Sequence, residues 1–146
     1  MVRGWAEFLD SSLIPVPLTA LDYVWPLAEP LLSKAVTADF TVASFREAIE
    51  RREMQLWTTE NDGELIAFAV TQILLRPNAK ILVISLVAGK DVRSWLPLID
   101  EFKDWAQAQG CDAMECYVDR ERWSRVLSEY GWKKDSLTLR KEIDVE

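Results

Sequence analysis

The 146-residue chain predicts an α/β (α+β) fold in three layers: a mixed, mostly antiparallel central sheet with helices on both faces. Three observations carry that expectation. The turn signals "NDG" (Asn61 to Gly63) and "RPNA" (Arg76 to Ala79) separate three apolar runs, as in an antiparallel meander. Two of those runs, "ELIAFAVTQILL" and "KILVISLVA", are apolar on both faces, so both sides of the sheet are covered. After Ala88 the pattern becomes helix, strand, helix, with Gly110 and Gly131 placed as helix stops.

The elements follow in order. "LIPVPL" (Leu13 to Leu18) reads as a short edge strand, because its prolines exclude a central position. Thr19 to Val36 is helical in composition, but Pro26 and Pro30 predict two short helices or one kinked helix. Thr41 is the expected N-cap of the next helix, in which Val42, Phe45 and Ile49 form the buried stripe. Strands are expected over Met54 to Glu60, Glu64 to Leu75 and Lys80 to Ala88. A helix over about Ser94 to Gln109 presents Trp95, Leu96, Ile99, Phe102 and Ala106 as one apolar face. Pro97 fits only in its first turn, which makes Ser94 the N-cap. A strand at Ala113 to Val118, a helix at about Glu121 to Tyr130 and a strand at Trp132 to Glu142 complete a single domain over residues 1–146.

Composition excludes several functions. With 49% hydrophobic residues the chain can build a packed core. Its net charge of −7 disfavours nucleic-acid binding, which draws on Lys and Arg against phosphates. The local basic groups Arg120, Arg122, Arg125 and Lys133, Lys134 read as solvated faces. The absence of His removes Ser-His-Asp and Cys-His nucleophile systems and all His-based metal sites. Cys111 and Cys116 read as small buried thiols in a reducing compartment, and no metal site is expected. No apolar run reaches the ~20 residues that span a bilayer, and the first residues lack the apolar stretch of a signal peptide. A soluble, cytoplasmic protein without a membrane partner is expected. The seven Trp are scattered and read as core or interface residues. Thr71 and Gln72 in the second meander strand, and Ser85 in the third, are polar where partners are needed.

The order of elements, with "WAQAQGCDAMECY" (Trp105 to Tyr117) closing a helix into a strand and "RVLSEYGW" (Arg125 to Trp132) closing a second helix, resembles the GNAT acyltransferase fold. The resemblance covers about residues 40 to 142. More narrowly, "LVAGKDVRSWLPL" and the terminal "LRKEID" are similar to short GNAT-like proteins of tailed bacteriophages. It implies acetyl-CoA as cofactor, with pyrophosphate at the loop Gly89, Lys90, Arg93 and Ser94, and backbone N–H groups near Leu86 and Val87 orienting the acyl carbonyl. That family carries two small residues at its pyrophosphate loop, whereas the matching segment "KDVRSW" has Arg93 and Trp95 there. A small residue lets backbone approach phosphate, and a Trp obstructs it. Lys90 and Arg93 would instead act as point charges. The family's Tyr general acid falls on Leu127, leaving Tyr130, next to Gly131, as the nearest phenol. Glu115 and Asp119 are candidate bases for an incoming amine. Two readings stand side by side: an acyl-CoA-dependent N-acyltransferase acting on a small-molecule or protein amine, and a catalytically inactive GNAT-shaped phage protein that binds a protein partner, a host factor or a virion component.

Overall fold

The computed structural model describes residues 13–36, 39–89, 96–118 and 121–143. Five strands form one sheet in the order β1-β2-β3-β4-β5. They are β1 (Ile14–Pro15), β2 (Gln55–Asn61), β3 (Glu64–Arg76), β4 (Ala79–Gly89) and β5 (Ala113–Cys116). The first four pair antiparallel, and β5 runs parallel to β4. Helices α1 (Leu21–Ala35) and α2 (Val42–Glu50) cover one face. A 3₁₀ segment (Leu96–Glu101), α3 (Phe102–Ala108) and α4 (Glu121–Ser128) cover the other. This is the expected three-layer arrangement.

The meander follows from its turns. Asp62 and Gly63 both have positive φ, 53° and 81°, as a two-residue hairpin turn of the primed kind requires. Asn61 and Glu64 therefore face each other as the first pair of the β2–β3 ladder. Thr41 caps α2 as expected: its side chain accepts from the Ser44 N–H at 3.1 Å, while the Ser44 hydroxyl oxygen accepts from the Thr41 N–H at 3.3 Å. Gly110 ends α3 with φ 80°. Its own N–H bonds to the Gln107 carbonyl, and the Cys111 N–H reaches back to Ala106, the paired bonds of a Schellman stop. Gly131 closes α4 in the same way, through Ser128 and Leu127.

Three expectations are corrected. Thr19 to Val36 is not two helices: a single α1 runs through Pro26 and Pro30 after a short 3₁₀ turn at Leu18–Ala20. Both prolines lie on the exposed side, where water can take the carbonyls they leave free, and the buried stripe Leu21, Val24, Trp25, Ala28 and Leu32 is undisturbed. The helix expected from Ser94 starts as a 3₁₀ segment and becomes α-helical only at Phe102. At three residues per turn, Ile99 and Phe102 eclipse and both enter the core. Its expected N-cap, Ser94, lies outside the described residues. Finally, Trp132 to Glu142 forms no strand. Among the described residues no strand pairs with it, and β5 pairs only with β4. Leu137, Leu139 and Ile143 stand 85%, 92% and 87% exposed.

The core of the α3/α4 face is organised by Trp57. Its ring meets Phe102 and Trp105 edge-on, with centroids 5.0 and 5.1 Å away. Its indole N–H donates to the Thr71 hydroxyl at 2.9 Å, and that hydroxyl donates to the Gln55 side-chain oxygen at 2.8 Å. Thr71, flagged in the sequence as a buried polar group, is fully buried and fully used. Thr71→Val keeps the shape but orphans a buried indole N–H, a cost of about 1–3 kcal/mol. A thermal melt is expected to show a fall in Tm of roughly 3–10 °C, and an unchanged Tm would show that the chain of bonds carries no stability.

Candidate active site

One extra residue creates the site. β3 pairs with β4 in steady register from Arg76↔Ala79 to Thr71↔Ile84, and the next pair is Val70↔Leu86. Ser85 is therefore a β-bulge in β4. The bulge reverses the alternation of the strand. Before it, Leu82 and Ile84 point to the α3/α4 core; after it, Val87 does, while Leu86 and Ala88 turn to the α1/α2 core. Bulges bend the strand and increase its twist. On its other edge β4 pairs with β5 only from Ile81↔Ala113 to Ile84↔Cys116, so pairing stops at the bulge. β4 continues to Gly89, and the chain after β5 departs through Tyr117 and Val118. Among the described residues, Ser85–Gly89 thus keep β3 on one side and have no strand on the other.

That stretch is a polar edge inside an apolar frame. In an antiparallel pair alternate residues direct N–H and C=O away from the partner strand. Among Ser85–Gly89 some of these groups therefore face the notch between β4 and β5. The side chains of Leu86 and Ala88 are buried, and Val87 packs against the opposite core, so only the backbone and the small Gly89 are presented there. Among the described residues the buried Ser85 hydroxyl has no protein partner. Leu86, Val87 and Gly89 are thus brought together along one edge. Lys90, Arg93 and Ser94, the expected pyrophosphate contacts, lie outside the described residues, as do Trp95 and Asp119.

Beneath Val87 a cavity of about 20 Å³ lies between the sheet and the 3₁₀ segment, lined by Leu13, Trp57, Thr59, Ile99 and Phe102 among others. The Thr59 hydroxyl, on a residue only 5% exposed, is buried as well, and among the described residues it too has no protein partner. Sequence reasoning missed it, because "TTE" reads as ordinary strand surface.

The two residues expected to carry acid–base work do not meet at the notch. Glu115 sits on β5 opposite Val83. Both of its oxygens accept from the Arg76 guanidinium, at 2.7 and 3.0 Å. The hydrogen bonds and charge of Arg76 hold the Glu115 carboxyl below its ordinary pKa, and Glu115 in turn raises that of Arg76. A carboxylate held this way is a weaker base than a free one. Tyr130 follows α4, at the end remote from the β5 junction, about 13 Å along by helical rise, and its side chain is 42% exposed. A phenol that sequence reasoning passed over lies closer: Tyr117, 69% exposed, is the first residue after β5 leaves β4. The position at which the ladder ends, rather than the residue type, singles it out. Cys116 beside it is pushed up to about 11 by burial, so its thiol stays protonated. Among the described residues no group of three His, Cys, Asp or Glu could hold a metal ion, and no helix is long and apolar enough to cross a membrane.

Two outcomes follow from these environments. The Glu115 carboxyl is expected to titrate below the ordinary 4.5 and to move up in Arg76→Ala, as read by side-chain carbonyl NMR. The pair's contribution to stability is then present above about pH 4.5 and lost as the pH falls through the lowered value; an unshifted titration would mean the pair does not form. Alkylation of Cys116 at pH 8 is expected to lag a free thiol by a hundredfold or so, and rapid labelling by mass spectrometry would show it exposed.

No protein-family model matches the sequence, and no curated protein matches it. Solved structures do match. A probable acetyltransferase superposes with a TM-score of 0.66 at 16% identity, covering 92% of this chain and 97% of its own. The apo aminoglycoside 6'-N-acetyltransferase AAC(6')-IG of Acinetobacter haemolyticus gives 0.65 at 13% identity, over 92% and 99%. The aminoglycoside N-acetyltransferase AAC(6')-Iy, in complex with CoA, gives 0.66 at 16%, over 91% and 94%. The chain has the GNAT fold.

Proposed function

We propose that this chain is an acyl-CoA-dependent N-acyltransferase, moving an acyl group, acetyl in the simplest case, onto an amine. One observation carries the reading: the five-residue edge of β4, freed by the bulge at Ser85 and left open by the departure of β5. An extended amide-bearing ligand can lie along such an edge as an added strand does, using backbone hydrogen bonds. The thioester arm of coenzyme A is of that kind. The likeness in fold to acetyltransferases, one of them a CoA complex, supports the same reading.

Acetyl-CoA would supply the activated acyl group, its carbonyl carbon forming a C–N bond to the amine as its C–S bond breaks. The chain's own part is electrostatic and positional. Backbone N–H groups of Leu86 or Val87 would donate to the carbonyl oxygen, where negative charge develops. Gly89 leaves room at the end of the edge, and Lys90, Arg93 and Ser94 would meet the phosphates beyond it. Glu115 stays with Arg76 in this reading, so the amine proton passes to water, and Tyr117 stands nearest to return a proton to the departing sulfur.

A second reading has one observation in its favour: neither Glu115 nor Tyr130 is poised at the notch. A GNAT-shaped protein working by protein contact, like the phage proteins that the sequence resembles, would need no acid or base there.

Calorimetric titration with acetyl-CoA, followed by amide NMR, separates the two. Roughly micromolar binding is expected, with Ser85, Leu86 and Val87 resonances shifting first. Absence of heat at millimolar ligand would remove the acyltransferase reading, and binding with shifts confined to another surface would remove the assignment to β4. Glu115→Gln is expected to leave binding unaltered, since its carboxylate is committed to Arg76.

A further inference from the structure

The bulge that opens the notch also places a hydroxyl beside it. Leu82 and Ile84 point to the α3/α4 core, so Ser85, next along the strand, stands on the α1/α2 side, and the bulge keeps Leu86 on that side as well. The last pair of the parallel ladder is Ile84↔Cys116, so the next residues on the two parting strands are Ser85 and Tyr117. Tyr117 stands on the same side. Its phenol is near enough to the Arg76 guanidinium to help raise the pKa of that group, and Arg76 is held by Glu115, which lies opposite Val83. A serine and a tyrosine hydroxyl therefore flank the opening at the level where β4 and β5 separate.

Among the described residues the fold makes no use of the first: the Ser85 Oγ is buried and has no hydrogen-bond partner. An unsatisfied buried hydroxyl costs about 1–3 kcal/mol, and an alanine at the bulge would avoid that cost. The notch, in turn, is short of a donor. N–H groups along a strand of an antiparallel pair point alternately to the partner and away from it. Of Leu86 and Val87, then, one N–H faces β3 and one faces the notch. Sites that stabilise an oxyanion are commonly built from more than one donor, serine hydroxyls among them. The unused hydroxyl and the single free N–H lie one or two residues apart along the same edge.

We propose that Ser85 is a catalytic residue: its hydroxyl turns toward the notch when the thioester binds and donates to the acyl carbonyl oxygen beside the free backbone N–H. The assignment rests on the acyltransferase reading given above. Ser85 forms no covalent bond. Its Oγ keeps its proton, and the hydrogen bond strengthens as negative charge gathers on the carbonyl oxygen during attack by the amine. Turning is cheap, because a serine side chain changes rotamer about one bond and leaves no protein partner behind among the described residues.

The test titrates the full chain with CoA and with acetyl-CoA isotopically labelled at its carbonyl carbon. The native protein is compared with Ser85→Ala and with Ser85→Cys, which keeps the size and substitutes a weak donor. CoA affinity is expected to be equal in all three, and acetyl-CoA affinity to fall by about two- to tenfold in both variants. By carbon NMR the carbonyl of acetyl-CoA bound to the native protein is expected downfield of its free position and displaced back toward it in both variants, a signature that a merely structural serine would not give. Should Ser85→Ala fail to fold, Ser85→Cys carries the same comparison. A carbonyl resonance and an acetyl-CoA affinity that are equal in native and variant proteins overturn the proposal and leave the acyltransferase reading standing. Equal losses for CoA and acetyl-CoA overturn it too, since the serine would then shape the edge rather than touch the carbonyl. A native protein that binds neither ligand removes the acyltransferase reading and this assignment with it.

Discussion

A single additional residue in β4 is the constraint on which the rest of the architecture turns. Without the bulge, Ser85 would take a regular place in the ladder, β4 would continue the alternation set by Leu82 and Ile84, and Leu86 would enter the α3/α4 core in place of Val87. With it, the strand changes phase half-way, both cores receive large side chains from both halves, and the ladder to β5 stops at the same level. The packing requirement and the opening in the sheet are thus one event. The opening needs no polar side chain to line it, because backbone supplies the donors and acceptors.

The frame around that opening is stiff for separable reasons. On the α3/α4 side, the Trp57 indole links β2 to β3 by its hydrogen bond and to α3 by two edge-on ring contacts. On the other side, α1 lies across β3 and β4 with Ala28 and Leu32 fully buried. The start of β5 is fixed to β4 by a reciprocal pair: the Lys80 N–H donates to the Asp112 carboxylate at 2.8 Å, and the Asp112 N–H donates to the Lys80 carbonyl at 2.7 Å. β5 is therefore anchored at its first residue and released at its last, the condition for a notch that widens toward Gly89.

Much of this was legible in the sequence, and the parts that were not have physical reasons. The meander, the covered sheet, the Thr41 cap and the glycine stops at Gly110 and Gly131 are local signals, each set by a few neighbouring residues, and each is present in the fold. Ser85 stood out as a polar residue in an apolar strand, but a bulge is a property of two strands in register and cannot be read from one. Glu115 looked free for the same reason: Arg76 lies thirty-nine residues away in sequence and reaches it only through the sheet. The C-terminal segment failed as a strand because alternation specifies a face and not a neighbour. Pro26 and Pro30 left one helix or two open in the sequence, since their cost depends on which side of the helix they occupy.

The phase reversal at Ser85 has a hereditary consequence. The bulged residue is constrained to stay small, because its hydroxyl is buried. The phase of β4 is what is constrained: were Ser85 drawn into the ladder, the residues after it would exchange their inward and outward sets, whereas its removal would leave Leu86, Val87 and Ala88 on the faces they hold. Descendants of this sequence could therefore keep both cores with or without a residue at that point, so that homologues would align on either side of the bulge with a gap of one between.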